Sequence, residues 1–195
     1  MPEESQLNGF RMRKNYKALY NTKIVIDTNS ILDLQELDLL DIPPKIFSKV
    51  FIPDNILIEE IDDPLVEELL NMNYIEINLK KNLGFEKYSY LNDTHKKLST
   101  SDKIVICIAY ENKFICCTND KRARNACKEL GTDVIGTLGI LCAGYESNII
   151  KWNDFVTAFN KYGVYTSARI DDSIKNEIKK LYDIPNIIEY NQKAN

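Results

Sequence analysis

Apolar and polar positions along the chain change period several times, and each change marks the passage from a short strand to a helix. Ile24, Val25 and Ile26 are three consecutive β-branched residues, a run suited to a strand buried on both faces of a parallel sheet. After Asp27 the apolar residues recur at Ile31, Leu32, Leu34, Leu37 and Leu40, so a helix is predicted to begin near Thr28 or Asn29. Pro43-Pro44 breaks that pattern, a short helical turn follows, and Val50-Phe51-Ile52 reads as a second strand ended by Pro53. Leu57 and Ile61 lie one helical turn apart and leave Glu60 on the flank of the buried face, with Glu59 as its rival. Pro64 opens a helix to Met72, Tyr74 to Ile77 alternates as a short strand, and Lys80 to Leu98 reads as a polar loop followed by helix.

The pattern of a strand closed by an acid occurs again in the second half. Ile104, Val105, Ile108 and Ala109 stand at helical spacing behind Ser101, a good N-cap, and Asp102, an acid in the first turn. Phe114-Ile115-Cys116-Cys117 reads as a buried strand that Thr118-Asn119-Asp120 closes as Asp27 closes the first. A basic helix over Lys121 to Lys128 follows and ends at Gly131; Val134-Ile135 make one more strand, and Gly136-Thr137-Leu138-Gly139 leads into a further helix. Two apolar stripes, Trp152, Phe155, Val156, Phe159 and Ile170, Ile174, Ile178, Leu181, predict two packing helices. Such alternation implies an α/β fold with three layers, α/β/α, a mostly parallel central sheet and extra C-terminal helices. With no internal repeat or linker, residues 1–195 read as one domain: a core of about 23–145, a basic N-terminal arm (1–22) carrying Arg11, Arg13, Lys14 and Lys17, and a helical extension (146–195).

Composition narrows the classes. With 44% hydrophobic and 28% charged residues and no apolar run near the ~20 residues of a membrane helix, the chain reads as globular, with no membrane partner. The polar start Met-Pro-Glu-Glu-Ser-Gln lacks a secretory h-region and points to the cytoplasm. The five cysteines form no CxxC pair and sit in apolar or helical stretches, which favours buried thiols over bridges or zinc ligands. His95, the one histidine, lies on a polar stretch and reads as surface, so histidine-based mechanisms lose support. A net charge of −4 excludes a surface that is basic throughout, while a local basic patch remains compatible with nucleic acid.

The acids carry the chemistry. Asp27 ends a central strand beside a helix N-terminus, where open α/β sheets place their ligands; capping of the next helix is its purely local explanation. Asp27, Glu60, Asp102 and Asp120 all fall at strand ends or early helix turns, and in a parallel sheet those ends share one edge. Unit charges about 4 Å apart repel by roughly 4 kcal/mol at an effective dielectric near 20, so such a cluster needs protons or cations. Hard divalent ions with oxygen ligands, Mg²⁺ or Mn²⁺, are the natural neutralisers, and they lead to phosphoryl chemistry. Lys121, Arg122 and Arg124 follow Asp120 directly and are candidates to hold a phosphodiester backbone.

The order of these motifs resembles the PIN-domain nucleases. Ile-Val-Ile-Asp27-Thr28-Asn29 is similar to the family's first strand with its metal-binding acid, and Phe-Ile-Pro53 through Leu57, Glu60 and Ile61 to its second block. Leu98-Ser-Thr-Ser-Asp102 resembles the third acidic site, Cys-Thr118-Asn119-Asp120 the fourth, and Ile135-Gly136-Thr-Leu-Gly-Ile-Leu141 one subgroup's closing motif. The resemblance implies that Asp27, Glu60, Asp102 and Asp120 are acidic metal ligands, with Asn29, Thr118 and Asn119 lining the site. It implies divalent-metal-dependent cleavage of RNA, and it brings in an antitoxin partner and a homodimer, as for the toxin ribonucleases of that family. The Pro-to-Glu block is one residue longer than the family pattern, which keeps Glu59 beside Glu60; the arm and C-terminal helices exceed a minimal toxin. The alternative from another class is a protein of the same fold that binds nucleic acid without cutting it. A haloacid-dehalogenase-like phosphatase would need an aspartate where Asn29 stands, and a receiver domain a lysine after Val134-Ile135, where Gly136-Thr137 stand.

Overall fold

A computed structural model of the protein describes residues 15–80, 82–164 and 172–185. The chain divides into two compact units, Tyr16–Ala168 and a second in which the described helix is Asp172–Tyr182. In the larger unit the β-branched run after Lys23 forms the central strand β1 (Lys23–Ile26), with Ile24, Val25 and Ile26 wholly buried. β2 (Lys49–Pro53) and β4 (Ile115–Cys117) pair with it on either side, β3 (Tyr74–Ile77) lies outside β2, and β5 (Val134–Ile135) outside β4. The order β3-β2-β1-β4-β5 is parallel throughout.

Parallel neighbours need crossovers, and helices supply them. They are α1 (Thr28–Glu36) and α2 (Ile42–Ile46) after β1, and α3 (Asp54–Glu59) and α4 (Asp63–Asn71) after β2. α5 (Asn82–Thr94) and α6 (Thr100–Asn112) follow β3, α7 (Lys121–Glu129) follows β4, and α8 (Thr137–Glu146) and α9 (Trp152–Lys161) follow β5. The chain steps outward from β1 to β2 to β3, then returns across the sheet to β4 and continues to β5. With right-handed crossovers, that reversal puts the helices on both faces. α6 packs on β1, β2 and β4 and against α5 and α7, while α8 packs against α1, α2 and α9. The β1–β4 boundary is therefore the switch point of the sheet, and its carboxyl end is where open α/β sheets place their ligand crevice.

The predicted strands and most helix boundaries recur in the structure, with informative differences. Pro43 and Pro44 occupy the first turn of α2, where a missing N–H costs nothing. The N-cap of α6 is Ser99 rather than Ser101: Ser99 Oγ accepts from Asp102 N and Asp102 Oδ2 accepts from Ser99 N, both at 3.0 Å, a reciprocal capping box. That leaves the Ser101 side chain available for another partner. All five cysteines are reduced and buried. Of the basic arm, the structure describes a 3₁₀ turn at Tyr16–Leu19; Arg11, Arg13 and Lys14 lie outside the described residues, as does Ile170 of the last stripe. Among the described residues no helix is long and apolar enough to cross a membrane.

Centrality in the sheet sets what each strand residue contributes. Ile26→Ala removes a fully buried side chain next to Asp27 and is expected to cost about 2–5 kcal/mol in urea unfolding. Ile75→Ala on edge strand β3, where the side chain is 37% exposed, is expected to cost less than about 1 kcal/mol.

Candidate active site

Asp27 follows β1 without leaving the ladder: its backbone N–H donates to Cys117 O at 3.1 Å. Its side chain then serves α1. Oδ1 accepts from Ser30 N at 2.8 Å and so caps the helix, while Oδ2 is buried and has no hydrogen-bond partner. The side chain that capping would explain thus has one oxygen that capping leaves unused. Asp27 is only 4% exposed, and burial pushes its carboxyl from 3.8 up to about 6. Hydrogen-bonding groups of Ser30 and Thr118 pull the other way, and the negative charge of Asp102 adds to the upward push.

The other sequence-predicted acids arrive from separate crossovers. Glu60, just past α3, is exposed and accepts hydrogen bonds from Thr28 Oγ on one carboxylate oxygen and from Ser101 Oγ on the other. Asn55 Nδ2 in turn donates to Ser101 Oγ at 2.8 Å. Glu60 is therefore tied to the residue after Asp27 and to the residue before Asp102, whereas Glu59 is exposed and makes no such contact. Asp102, half-buried at the start of α6, uses Oδ2 in the capping box. Asp120 caps α7 with Oδ1, which accepts from Arg122 N and Ala123 N at 2.8 Å, and its own N–H donates to Thr118 Oγ at 3.2 Å. Each capping acid keeps a second oxygen outside these bonds. Among the described residues, no three Asp, Glu, His or Cys side chains converge tightly enough to grip one ion between them.

The basic residues divide. Lys121 and Arg122 are exposed on the first turn of α7. Arg124 departs from the expected backbone-binding role: it is 8% exposed, and its Nη1 donates to Thr118 O at 2.9 Å, inside the fold. It is buried on α7 together with Ala123, Ala126 and Cys127. Asn29 is exposed on the first turn of α1, and Thr118 is buried. Asn119 is held from inside, by bonds to Asp33 and Thr137 at 2.8 Å each.

A family model for the PIN domain matches residues 23–180. The chain belongs to the PIN-domain family. Curated proteins include no match to it. PIN domains are generally nucleases, a hydrolase class, and typically use divalent metals.

The donor set fits such an ion in one way. Mg²⁺-like ions need only one or two carboxylates and otherwise keep water. Asp27 Oδ2, buried and unpartnered, is the carboxylate oxygen that such an ion would meet here, with the negative charge of Asp102 near enough to be felt. Two residues of the region escaped the sequence reading. Ser101 has the sequence position of a helix cap, and Asp33, 1% exposed, is an acid flanked by Leu32 and Leu34 in the apolar stripe of α1, which is its one signal in the sequence.

Burial of Asp27 has a pH signature. Its folded-state value lies above the unfolded one, so the native state holds a proton that the unfolded chain releases. Stability from that proton is present at acid pH and is lost as pH rises from about 4 through about 6, by about 2–3 kcal/mol at most. In metal-free buffer Asp27→Asn is expected to be more stable than wild type at pH 7.5, with the gap closing at pH 4.5. Urea melts at the two pH values read it directly.

Proposed function

We propose that this PIN domain is a divalent-metal-dependent ribonuclease that hydrolyses phosphodiester bonds of RNA with Mg²⁺ or Mn²⁺. The observation that carries the proposal is the orphaned, buried Oδ2 of Asp27 at the sheet's switch point, because a deprotonated acid kept out of water there calls for a cation. Asp27 would hold the ion directly, and Asp102, Asp120 and Glu60, the last steadied by Thr28 and Ser101, would act on it through the waters it keeps. When bound, such an ion supplies charge neutralisation and polarisation of the scissile phosphate. Lys121 and Arg122, exposed at the start of α7, hold the flanking backbone as point charges and fork donors. The nucleophile is water, so the chain needs no reactive serine or cysteine, in keeping with thiols that are all buried. An inhibitory antitoxin and self-association as a homodimer belong to the same proposal, on the strength of the family resemblance, as does a toxin role.

A second reading has its own support. Asp102 and Asp120 each serve a helix cap and Glu60 accepts two hydroxyls, engagements that a purely structural role would explain. On that reading the domain binds RNA and does not cut it.

Labelled single-stranded RNA with purified protein and Mn²⁺ separates the two. Cleavage is expected in wild type, lost with EDTA, and reduced by at least about a hundredfold in Asp27→Asn and Asp120→Asn. Mn²⁺ is also expected to raise the melting temperature of wild type at pH 7.5 while leaving that of Asp27→Asn in place. Retention of RNA on a filter with no product under any divalent ion would support the binding reading instead.

A further inference from the structure

Behind the crevice lies a polar cluster that the proposed chemistry does not use. Asp33, on α1 six residues beyond Asp27, is buried, and its Oδ2 collects three donors: Asn119 Nδ2 at 2.8 Å, Tyr162 Oη at 3.3 Å and Thr137 Oγ at 3.5 Å. Asn119 is the hub. Its Nδ2 also lies 2.8 Å from Thr137 Oγ, and its Oδ1 accepts from Thr137 N at 3.0 Å. A Cβ built on Gly136 would run into Asn119 Oδ1 and come within 3.3 Å of Arg124 Nη1, so only glycine leaves room for the amide. Arg124 grips the same loop from the other side through Thr118 O at 2.9 Å.

The consequence is mechanical. Thr118, Asn119 and Asp120 leave β4 as a loop, and a loop at a strand end is ordinarily the least constrained part of an α/β sheet. Here the central residue of that loop is bonded to α1 and to the first turn of α8, and through Asp33 to the end of α9. With Asp33 ionised, all three partners donate to its Oδ2 while Oδ1 is buried without a partner, so the polarity of the cluster is set. Burial pushes its carboxyl up to about 6, which still leaves it ionised at neutral pH.

We infer that Asp33, Thr137 and Tyr162 are positioning residues, which act through the Asn119 amide to place Asp120 at the crevice. This rests on the nuclease reading for its catalytic meaning, and on the hydrogen bonds alone for its structural meaning. A generic packing role for Asp33 would spread the effect of a mutation over the whole domain. A positioning role confines it to the loop and to the amides that Asp120 caps.

The test is a reversal of polarity. Asn119→Asp sets a carboxylate against Asp33, and the pair Asp33→Asn with Asn119→Asp restores an amide-to-carboxylate bond in the opposite sense. Amide hydrogen exchange of Arg122 and Ala123, which Asp120 Oδ1 holds, reports where Asp120 sits whether or not the protein cuts RNA. Asn119→Asp is expected to speed exchange at both amides by about tenfold or more while Val25 and Ile26 in β1 keep their protection, and the double variant is expected to recover most of it. Unchanged exchange at Arg122 and Ala123 in Asn119→Asp would overturn the proposal. So would equal acceleration in β1, or a double variant no better than the single. If wild type cleaves RNA, kcat should fall and recover in step with exchange at constant KM. If wild type is inert, the nuclease reading fails on its own and the exchange data still decide the positioning role.

Discussion

The structure depends on keeping one carboxylate at the carboxyl end of a wholly buried parallel strand. Strand β1 is apolar on both faces and paired on both sides, so the residue that follows it has no route to solvent except along the crevice between β1 and β4. Asp27 stands there with one oxygen committed to the N-terminus of α1 and the other bare. An arrangement that raises the carboxyl to about 6 opposes the charged form at neutral pH and works against stability unless something positive settles beside it. The remaining acids are distributed around that need.

Their distribution follows from topology. β1, β2 and β4 release their chains at the same edge, and α6 crosses the sheet beneath that edge. Asp120 comes from the end of β4, Glu60 from the C-terminus of α3, the short helix after β2, and Asp102 from the first turn of α6. Each is held by the physics of a helix terminus or by hydroxyls, so the acids are fixed in place without touching one another. Capping and ion binding are compatible in such a site because a carboxylate has two oxygens and a cap needs only one.

On the proposed ribonuclease reading, a protein with a net charge of −4 presents a poor long-range field for RNA, so attraction would have to be local. Lys121 and Arg122 would provide it next to Asp120, on a helix whose inward side gives Arg124 to the loop instead. Neighbouring positions on one basic helix thus divide between exposure to solvent and support of the loop after β4. Asp33 and Asn119 extend that support into the core, where three elements converge on one amide.

The strands, the double-proline turn, the parallel α/β architecture and the candidate acids were legible in the sequence, because they depend on local period, on proline and on where a polar residue interrupts an apolar run. Ile24-Val25-Ile26 before Asp27 and Phe114 to Cys117 before Asp120 are signals of that kind. Helix caps were legible only to within a residue or two: Ser99, Thr100 and Ser101 all have capping hydroxyls, and the reciprocal bond between Ser99 and Asp102 decides among them. Bonds between crossovers left no local trace. Nothing around residue 101 announces Glu60, which lies forty-one residues away, and nothing around Asp33 announces Asn119, eighty-six residues away. The inward turn of Arg124 and the choice of Glu60 over Glu59 as the partner of Thr28 likewise belong to the tertiary structure. Period and composition set which residues are buried and which element each belongs to; which buried polar group meets which is settled only when the sheet brings distant chain segments to a common edge.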